Sequence, residues 1–462
     1  MTRRPKIGLL FLAGDSWWEA GICDAAEGPY AGFLDNVQRD AANATAALAE
    51  ECDVLSSGLL HTTEQVLAEV RRFDDADVDG IVFCPIIWTN DAPVVAFLQE
   101  TRRRPLLLWA YDPYGGFPDY FTLPVWLRAS GPVSVQQASN LFRRFGWDYD
   151  VVFGNERAPE AVRTLRVFAR AAMVKRQLRG TRIAVLPSPC RVVMGTLVDE
   201  LHLLERFGVE LVYVSVEQYA ALVEAVSARD ADEYVAWLKS NATNEGVDDD
   251  VLGVCARQAL AKVRLAEEEG LSGIALEDFN EAFYRLLGWR PHLTHPRLGE
   301  LGCTVGLEAD VPGVLATIIV SRLAGRPGMF NEFYSIDRQH NAVLMGHPGM
   351  GELAVGEPET FVLTPDLEFD ASQPRGVWLS YRAKPGPMTF LNLTPEYGRL
   401  KAAVFTGESL PGPRLMEGYA HMLIRPATEA DTLFQRAVRL GLVQHWGTVH
   451  GHLGAELRGL DR

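Results

Sequence analysis

Short apolar runs alternate with amphipathic stretches through the N-terminal third of this chain, and that rhythm is what most restricts its fold. Ile7–Ala13, Asp53–Ser56, Gly80–Phe83 and Pro105–Ala110 read as strands. Leu34–Glu51, Thr62–Phe73 and Pro93–Arg103 lie between them and read as helices. Buried runs this short, joined by helices, belong to a parallel sheet with crossover connections. Polar or special residues stand at the strand ends: Asp15, then Cys84 with Pro85, then Tyr111 with Asp112. Ligands gather outside the carboxyl ends of such strands. No GxGxxG and no GxxxxGK[ST] follows a strand, so a dinucleotide or ATP cradle is not expected.

The style repeats and then changes. Pro159 suits a first helical position, and Val162, Leu165, Phe168, Ala169, Ala172 and Met173 follow at helical spacing. Arg182–Leu186, Val209–Val214 and Gly273–Leu276 read as strands, Met194–Phe207 as a helix, and 216–270 as largely helical. From about Gly325 the pieces become short, β-rich and punctuated by Gly, Pro and Asp: Thr360–Leu363, Gly376–Arg382, Met388–Leu393 and Lys401–Thr406. That pattern predicts an antiparallel barrel or meander. Thr428–Leu440 reads as a late helix, and another closes the chain. At 462 residues the chain exceeds one ordinary domain. The expected division is 1–158 and 159–326, both α/β with parallel sheets, then 327–462, β-rich, antiparallel and barrel-like.

Charge and cysteine usage narrow the class of partner. Lys plus Arg total 44 against 60 Asp plus Glu, a formal net charge of −16. That balance argues against a nucleic-acid backbone or an anionic membrane. The six cysteines are scattered and form no CxxC pair, so buried reduced thiols are expected rather than a disulfide framework or zinc ribbon. The basic start MTRRPK precedes an apolar run too short for a signal segment, and no run reaches the length of a membrane span. A cytoplasmic protein is expected.

Four polar residues stand in settings suited to metal ligation. Glu308 lies in GLEADVPG, Glu332 in GMFNEFY, His347 in VLMGHPG and His445 in LVQHWG. Carboxylate oxygens with imidazole nitrogens suit Mn²⁺, Mg²⁺, Co²⁺ or Zn²⁺. Taken singly, each is also compatible with a surface or core role. His450 and His452 fit equally as ligands or as solvent-facing residues. His340 reads as exposed, and His292 and His295 as loop histidines.

Together these segments resemble the L-arabinose/L-fucose isomerase superfamily, nearer its arabinose isomerase branch. The family's first metal-binding glutamate opens a helix in an E-x-D sequence, as Glu308-Ala309-Asp310 does here. Its second follows a Gly-rich turn, as Glu332 follows Gly328-Met329-Phe330-Asn331. Its first histidine ends an apolar strand, as His347 follows Leu344-Met345-Gly346. Its last stands late, before an aromatic residue, as in Gln444-His445-Trp446, with Gln444 replacing one of two adjacent histidines. The resemblance implies two Rossmann-like α/β units followed by a β-rich third. It implies a metal-dependent aldose–ketose isomerase, with Mn²⁺ the first choice of ion. Glu308, Glu332, His347 and His445 would be the ligands. Glu308 and Glu332 would also move the proton through an ene-diol. It further implies a homo-oligomer, a trimer or hexamer, with sites near subunit interfaces.

Departures fall in the substrate pocket. The family's Q-x-x-H-x-x-R stretch matches Gln137–Arg143 with Asn140 in the histidine's place, and Gly14–Trp18 lacks the family's glutamine. Trp17 and Trp18 could stack on a sugar, with Asp112 and Asn140 as polar contacts. The expected substrate is therefore a sugar or sugar derivative, L-arabinose or a different one. Two competing readings use the same residues differently: an epimerase with the same metal and glutamates, and a non-catalytic sugar-binding or regulatory protein.

Overall fold

The computed structural model describes residues 3–348, 351–368 and 375–460. The chain forms two compact units, Met1–Arg176 with Ala455–Arg462, and Gln177–Gly454. In the first, strands β1 (Lys6–Leu12), β2 (Asp53–Leu60), β3 (Gly80–Pro85), β4 (Leu106–Ala110) and β5 (Asp150–Phe153) form one parallel sheet in the order β2-β1-β3-β4-β5. That is a doubly wound order. Alternation along the strands feeds two cores. Ile7, Leu9 and Phe11 join Val82, Leu107 and Trp109 under the helix Phe33–Ala49. Leu10 and Leu12 join Ile81, Phe83 and Leu108 with Phe73, Phe97 and Phe142 from helices. The period-2 pattern thus sends each strand's apolar residues to both faces, as a parallel sheet requires. Helix Thr63–Asp75 begins with a capping box formed by Thr62 and Gln65.

Helix Pro159–Leu178, expected to open the second region, counts with the first unit as far as Arg176. The reason is its apolar face: Leu165, Phe168, Ala169 and Ala172 pack into the core beside Ile7 and Val82.

The second unit contains another parallel sheet and a barrel. Strands β6 (Arg182–Leu186) and β7 (Glu210–Tyr213) come first, then the two-residue β8 (Thr243–Asn244), β9 (Gly273–Leu276) and β10 (Thr304–Gly306). The sheet order is β10-β9-β6-β7, all parallel. The helix expected over Met194–Phe207 is shorter. Met194–Thr196 is a single 3₁₀ turn, and the α-helix begins at Glu200 because the Asp199 side chain caps it at His202 N–H.

The β-rich region comprises β11 (Met329–Asp337), β12 (Ala342–Pro348), β13 (Val362–Pro365), β14 (Val377–Arg382), β15 (Gly386–Glu396), β16 (Arg399–Ser409), β17 (Tyr419–Pro426) and β18 (Trp446–His450). The run β12-β11-β18-β15-β16-β17 closes on itself through a β12–β17 pairing, and every contact in the ring is antiparallel. Closure removes exposed sheet edges. β14 adds in parallel to β17 and extends the sheet through β13 to β8. The fold is therefore α/β with parallel sheets followed by an antiparallel barrel. Among the described residues, no helix is long and apolar enough to cross a membrane.

Candidate metal centre

Strand β11 positions two of the four candidate ligands by register. On one side Glu332 pairs with Gly346 of β12, which places it beside His347. On the other, Asn331 pairs with Trp446 of β18, which places it beside His445. The buried Asn331 amide donates to the Trp446 carbonyl at 3.0 Å and fixes that junction. Asn392 on β15 donates to the carbonyls of Val443 at 2.9 Å and His445 at 2.7 Å. Thr394 in turn donates to Asn392 Oδ1 at 2.7 Å. The loop carrying His445 is thus held by the buried amides of Asn331 and Asn392.

Glu308 arrives from a different element. It follows β10 in a turn where Glu308 and Ala309 have φ of 58° and 48°. Such left-handed backbone costs roughly 1–2 kcal/mol per non-glycine residue. Asp310 then starts helix Val311–Ala324, its Oδ1 accepting from Gly313 N–H at 2.9 Å. Its other oxygen, Oδ2, lies 2.7 Å from His445 Nδ1. One buried carboxylate therefore caps a helix and orients an imidazole.

The donor atoms converge. One atom each from Glu308, His347 and His445 lies within 4.8 Å of the others. His347 Nε2 and His445 Nε2 are 3.3 Å apart, and His445 Nε2 is 3.6 Å from Glu308 Oε2. Glu332 stands just outside this triad, with Oε2 3.9 Å from His445 Nε2. Its Oε1 accepts from the Tyr334 hydroxyl at 2.6 Å. Gln444, next to His445 in the chain, donates to Glu308 Oε2 at 3.0 Å. Both histidines are fully buried, while the Glu308 and Glu332 side chains keep 14% and 21% of their exposure. Solvent therefore reaches the cluster on its glutamate side.

The chemistry of this donor set fits a divalent cation. His445 Nδ1 faces Asp310, and His347 Nδ1 lies 3.2 Å from the Pro348 carbonyl. With each Nδ1 donating, both Nε2 atoms present lone pairs to one another beside a carboxylate. A proton on one Nε2, or a cation among the donors, relieves the repulsion of lone pairs at this spacing. A carboxylate or carbonyl behind each ligating imidazole is the usual support for a metal ligand.

The electrostatics agree. Burial pushes the Glu308 carboxyl up to about 7; His445 pulls the other way, while Asp278, Glu332 and Asp310 add to the rise. Burial, together with neighbouring His445, lowers His347 to about 4, so it is neutral and free to ligate. Burial also opposes a proton on His445, but Asp310, Glu308 and Glu332 outweigh it and raise its pKa. Groups that favour a proton there favour a metal cation in its place.

A buried cluster that the sequence did not reveal supports the turn. Asp278 follows β9, and its Oδ1 accepts the Glu308 N–H at 2.9 Å. Its Oδ2 receives Arg290 Nη2 at 3.0 Å. Arg290, 1% exposed, also reaches Glu368 at 2.9 Å and Asp366 at 3.4 Å. His292, expected as a loop histidine, does lie between helices, but it is fully buried between the Asp278 and Asp366 carboxylates. The only sequence signal for Asp278 was its place after an apolar strand, where ligand-facing residues collect.

The remaining histidines divide. His340 is exposed and pairs with Asp337. His450 lies against the Lys384 carbonyl and His452 is exposed near Glu408. His295 Nδ1 accepts from Arg297 N–H at the start of helix Pro296–Leu301.

The four candidate substrate contacts lie in the first unit. Trp17 donates its indole N–H to the Trp88 carbonyl at 2.9 Å and meets that ring edge-on. Trp18 stacks on His61 at 4.0 Å. Asp112 accepts from Tyr114 N–H at 3.1 Å. Asn140 is exposed on helix Gly131–Arg144. Trp17, Trp18 and Asp112 stand at the carboxyl ends of β1 and β4, two strands separated by β3.

No protein-family model matches the chain, and no curated protein matches it. Among solved structures, it is similar to an ABC transporter periplasmic solute-binding protein from Actinobacillus succinogenes with bound D-allose. The two share 11% identity over 70% of this chain and 93% of that one, with a TM-score of 0.16. A score this low does not establish a shared fold.

Proposed function

We propose that the chain is a metal-dependent aldose–ketose isomerase acting on a sugar or sugar derivative through an ene-diol. The observation that carries this is the convergence of Glu308, His347 and His445 from three separate elements, with Glu332 at the rim. These four residues would hold the ion, with Mn²⁺ the first choice. When bound, such an ion supplies Lewis acidity to a carbonyl and the adjacent hydroxyl.

The chain's own groups then account for proton movement. Isomerisation needs a carboxyl that takes a proton from one carbon and returns it to the next. A carboxyl does this when one of its oxygens stays off the ion, because a bound cation acidifies it, and Glu308 and Glu332 are the two carboxyls at the centre. Glu332 has one oxygen engaged by Tyr334 and the other turned toward His445, which orients it as the second carboxylate.

A cytoplasmic location is supported by six cysteines, all free and buried. Self-association into a trimer or hexamer is supported by a run of exposed apolar side chains in the first unit. Phe117, Tyr120 and Leu123 are 96%, 78% and 68% exposed. Apolar surface of this kind marks an interaction face.

A coupled assay over a panel of aldoses and ketoses, with Mn²⁺, tests the activity. Interconversion of at least one pair is expected. Solvent deuterium entering a sugar without ketose formation would point to an epimerase instead. Metal and sugar binding with no turnover of any sugar would point to a binding protein.

A further inference from the structure

Two consecutive non-glycine residues in left-handed backbone do not persist unless their surroundings hold them. At Glu308 and Ala309 both backbone N–H groups are held from one place, the segment from the end of β9 to Asp278. Ala309 N–H donates to the Leu276 carbonyl at 2.9 Å, and Glu308 N–H donates to Asp278 Oδ1 at 2.9 Å. The first is a backbone contact that any residue could supply. The second depends on a side chain. Asp278 is 3% exposed and cannot swing away, because Arg290 Nη2 holds its other oxygen at 3.0 Å. Arg290 is fixed in turn by Asp366 and Glu368.

We infer that Asp278 is a positioning residue for the metal centre: clamped by Arg290, its carboxylate holds the Glu308 N–H and so keeps the Glu308 side chain turned toward His347 and His445. This rests on the metal reading of the site and adds to it the residue that sets the site's affinity. Asp278 meets two hydrogen-bond donors, Glu308 N–H at Oδ1 and Arg290 Nη2 at Oδ2, with His292 Nε2 3.5 Å from Oδ2. An aspartate offers each an oxygen, whereas an asparagine can offer an oxygen to only one. With Arg290 charged and the stronger partner, the amide nitrogen of an asparagine would face the Glu308 N–H. The isosteric change Asp278→Asn therefore releases the turn without opening a cavity. Asp366 is the internal control. It shares Arg290 and His292 but makes no contact with Glu308.

The test is Mn²⁺ binding followed by electron paramagnetic resonance. It reports the free ion and, separately, the spectrum of the bound one. Asp278→Asn is expected to weaken Mn²⁺ binding by about 10-fold or more and to change the bound spectrum. Asp278→Ala, if it folds by circular dichroism, is expected to lose at least as much; if it does not fold, the asparagine variant decides. Asp366→Asn is expected to keep native Mn²⁺ affinity within about 2-fold, whatever its effect on melting temperature. Native affinity and spectrum in Asp278→Asn would overturn the inference. So would an equal loss in Asp366→Asn, which would mark a general dependence on the buried cluster. Failure of the unmodified protein to bind Mn²⁺ would overturn the metal reading itself, and the positioning role with it.

Discussion

At Asp310 one side chain does two jobs with two oxygens. Oδ1 caps helix Val311–Ala324, and Oδ2 sets the tautomer and direction of His445. The substitution Asp310→Asn separates them. The amide oxygen can still cap the helix, while the anionic support behind His445 is lost. Metal affinity by calorimetry is expected to fall about 10–100-fold, the range typical for partners behind a ligand, with a small change in melting temperature. Lys262 gives a second residue-level prediction. It is fully buried, donates to the Pro291 carbonyl at 2.7 Å, and burial lowers its pKa to about 7. The unfolded chain holds that proton up to its ordinary value of 10.5. Between these values the unfolded state binds more protons, so stability rises with pH, by at most ~1.4 kcal/mol per unit. Urea unfolding at about pH 7 and about pH 9 is expected to show this rise in the native protein and a flatter profile in Lys262→Met. Legibility at this scale was uneven. The E-x-D spacing revealed Glu308 and Asp310 because both lie on one turn. Asp278, Arg290 and Asp366 were hidden because their pairing spans the chain from 278 to 366, which no local pattern records.

The elements that carry the site meet at unusually close range. Helix Val311–Ala324 packs on β18, and a Cβ on Gly447 would lie 2.4 Å from the Thr317 backbone nitrogen. Backbone cannot yield as a side chain can. Gly447→Ala is therefore expected to destabilise at the upper end of the ~1–3 kcal/mol usual for overpacking, read as a shift of the urea midpoint. The loss should be accompanied by weaker metal binding, because His445 precedes the same strand. At the element scale the parallel sheets were readable. Their strands are short apolar runs, and Gly80–Phe83 and Gly273–Leu276 fall within one or two residues of the observed limits. The barrel was readable only in part. Gly376–Arg382, Met388–Leu393 and Lys401–Thr406 match strands to within one residue at their starts or lie inside them, whereas Thr360–Leu363 meets β13 only at Val362 and Leu363 because Thr360 ends a 3₁₀ turn, and β15 and β16 run further, to eleven residues each. The ends of β15 carry Gly386, Pro387, Pro395 and Glu396 and so look like loop. β17 was missed because Tyr419–Pro426 contains His421 and Arg425 among its apolar residues. Register, which places Glu332 beside His347, is a property of closure and has no counterpart in local sequence.

At the scale of the whole molecule the account combines a parallel-sheet unit with a second unit that holds the entire candidate centre. Exposed Phe117 and Trp126 give the proposed self-association a test. Light scattering is expected to show a trimer or hexamer, and Phe117→Ser with Trp126→Ser to shift it toward the monomer; a native monomer would end that proposal. The central claim is that four distant residues make one metal centre. Elemental analysis of protein saturated with Mn²⁺ and then desalted tests it most directly, on the native chain and on a folded His347→Ala, His445→Ala double variant. The account expects about one divalent ion per native chain and less than about a tenth of that in the double variant, since removing half the ligands leaves no closed set of donors. A native protein that retains no ion, or a double variant that retains as much as the native, would contradict it.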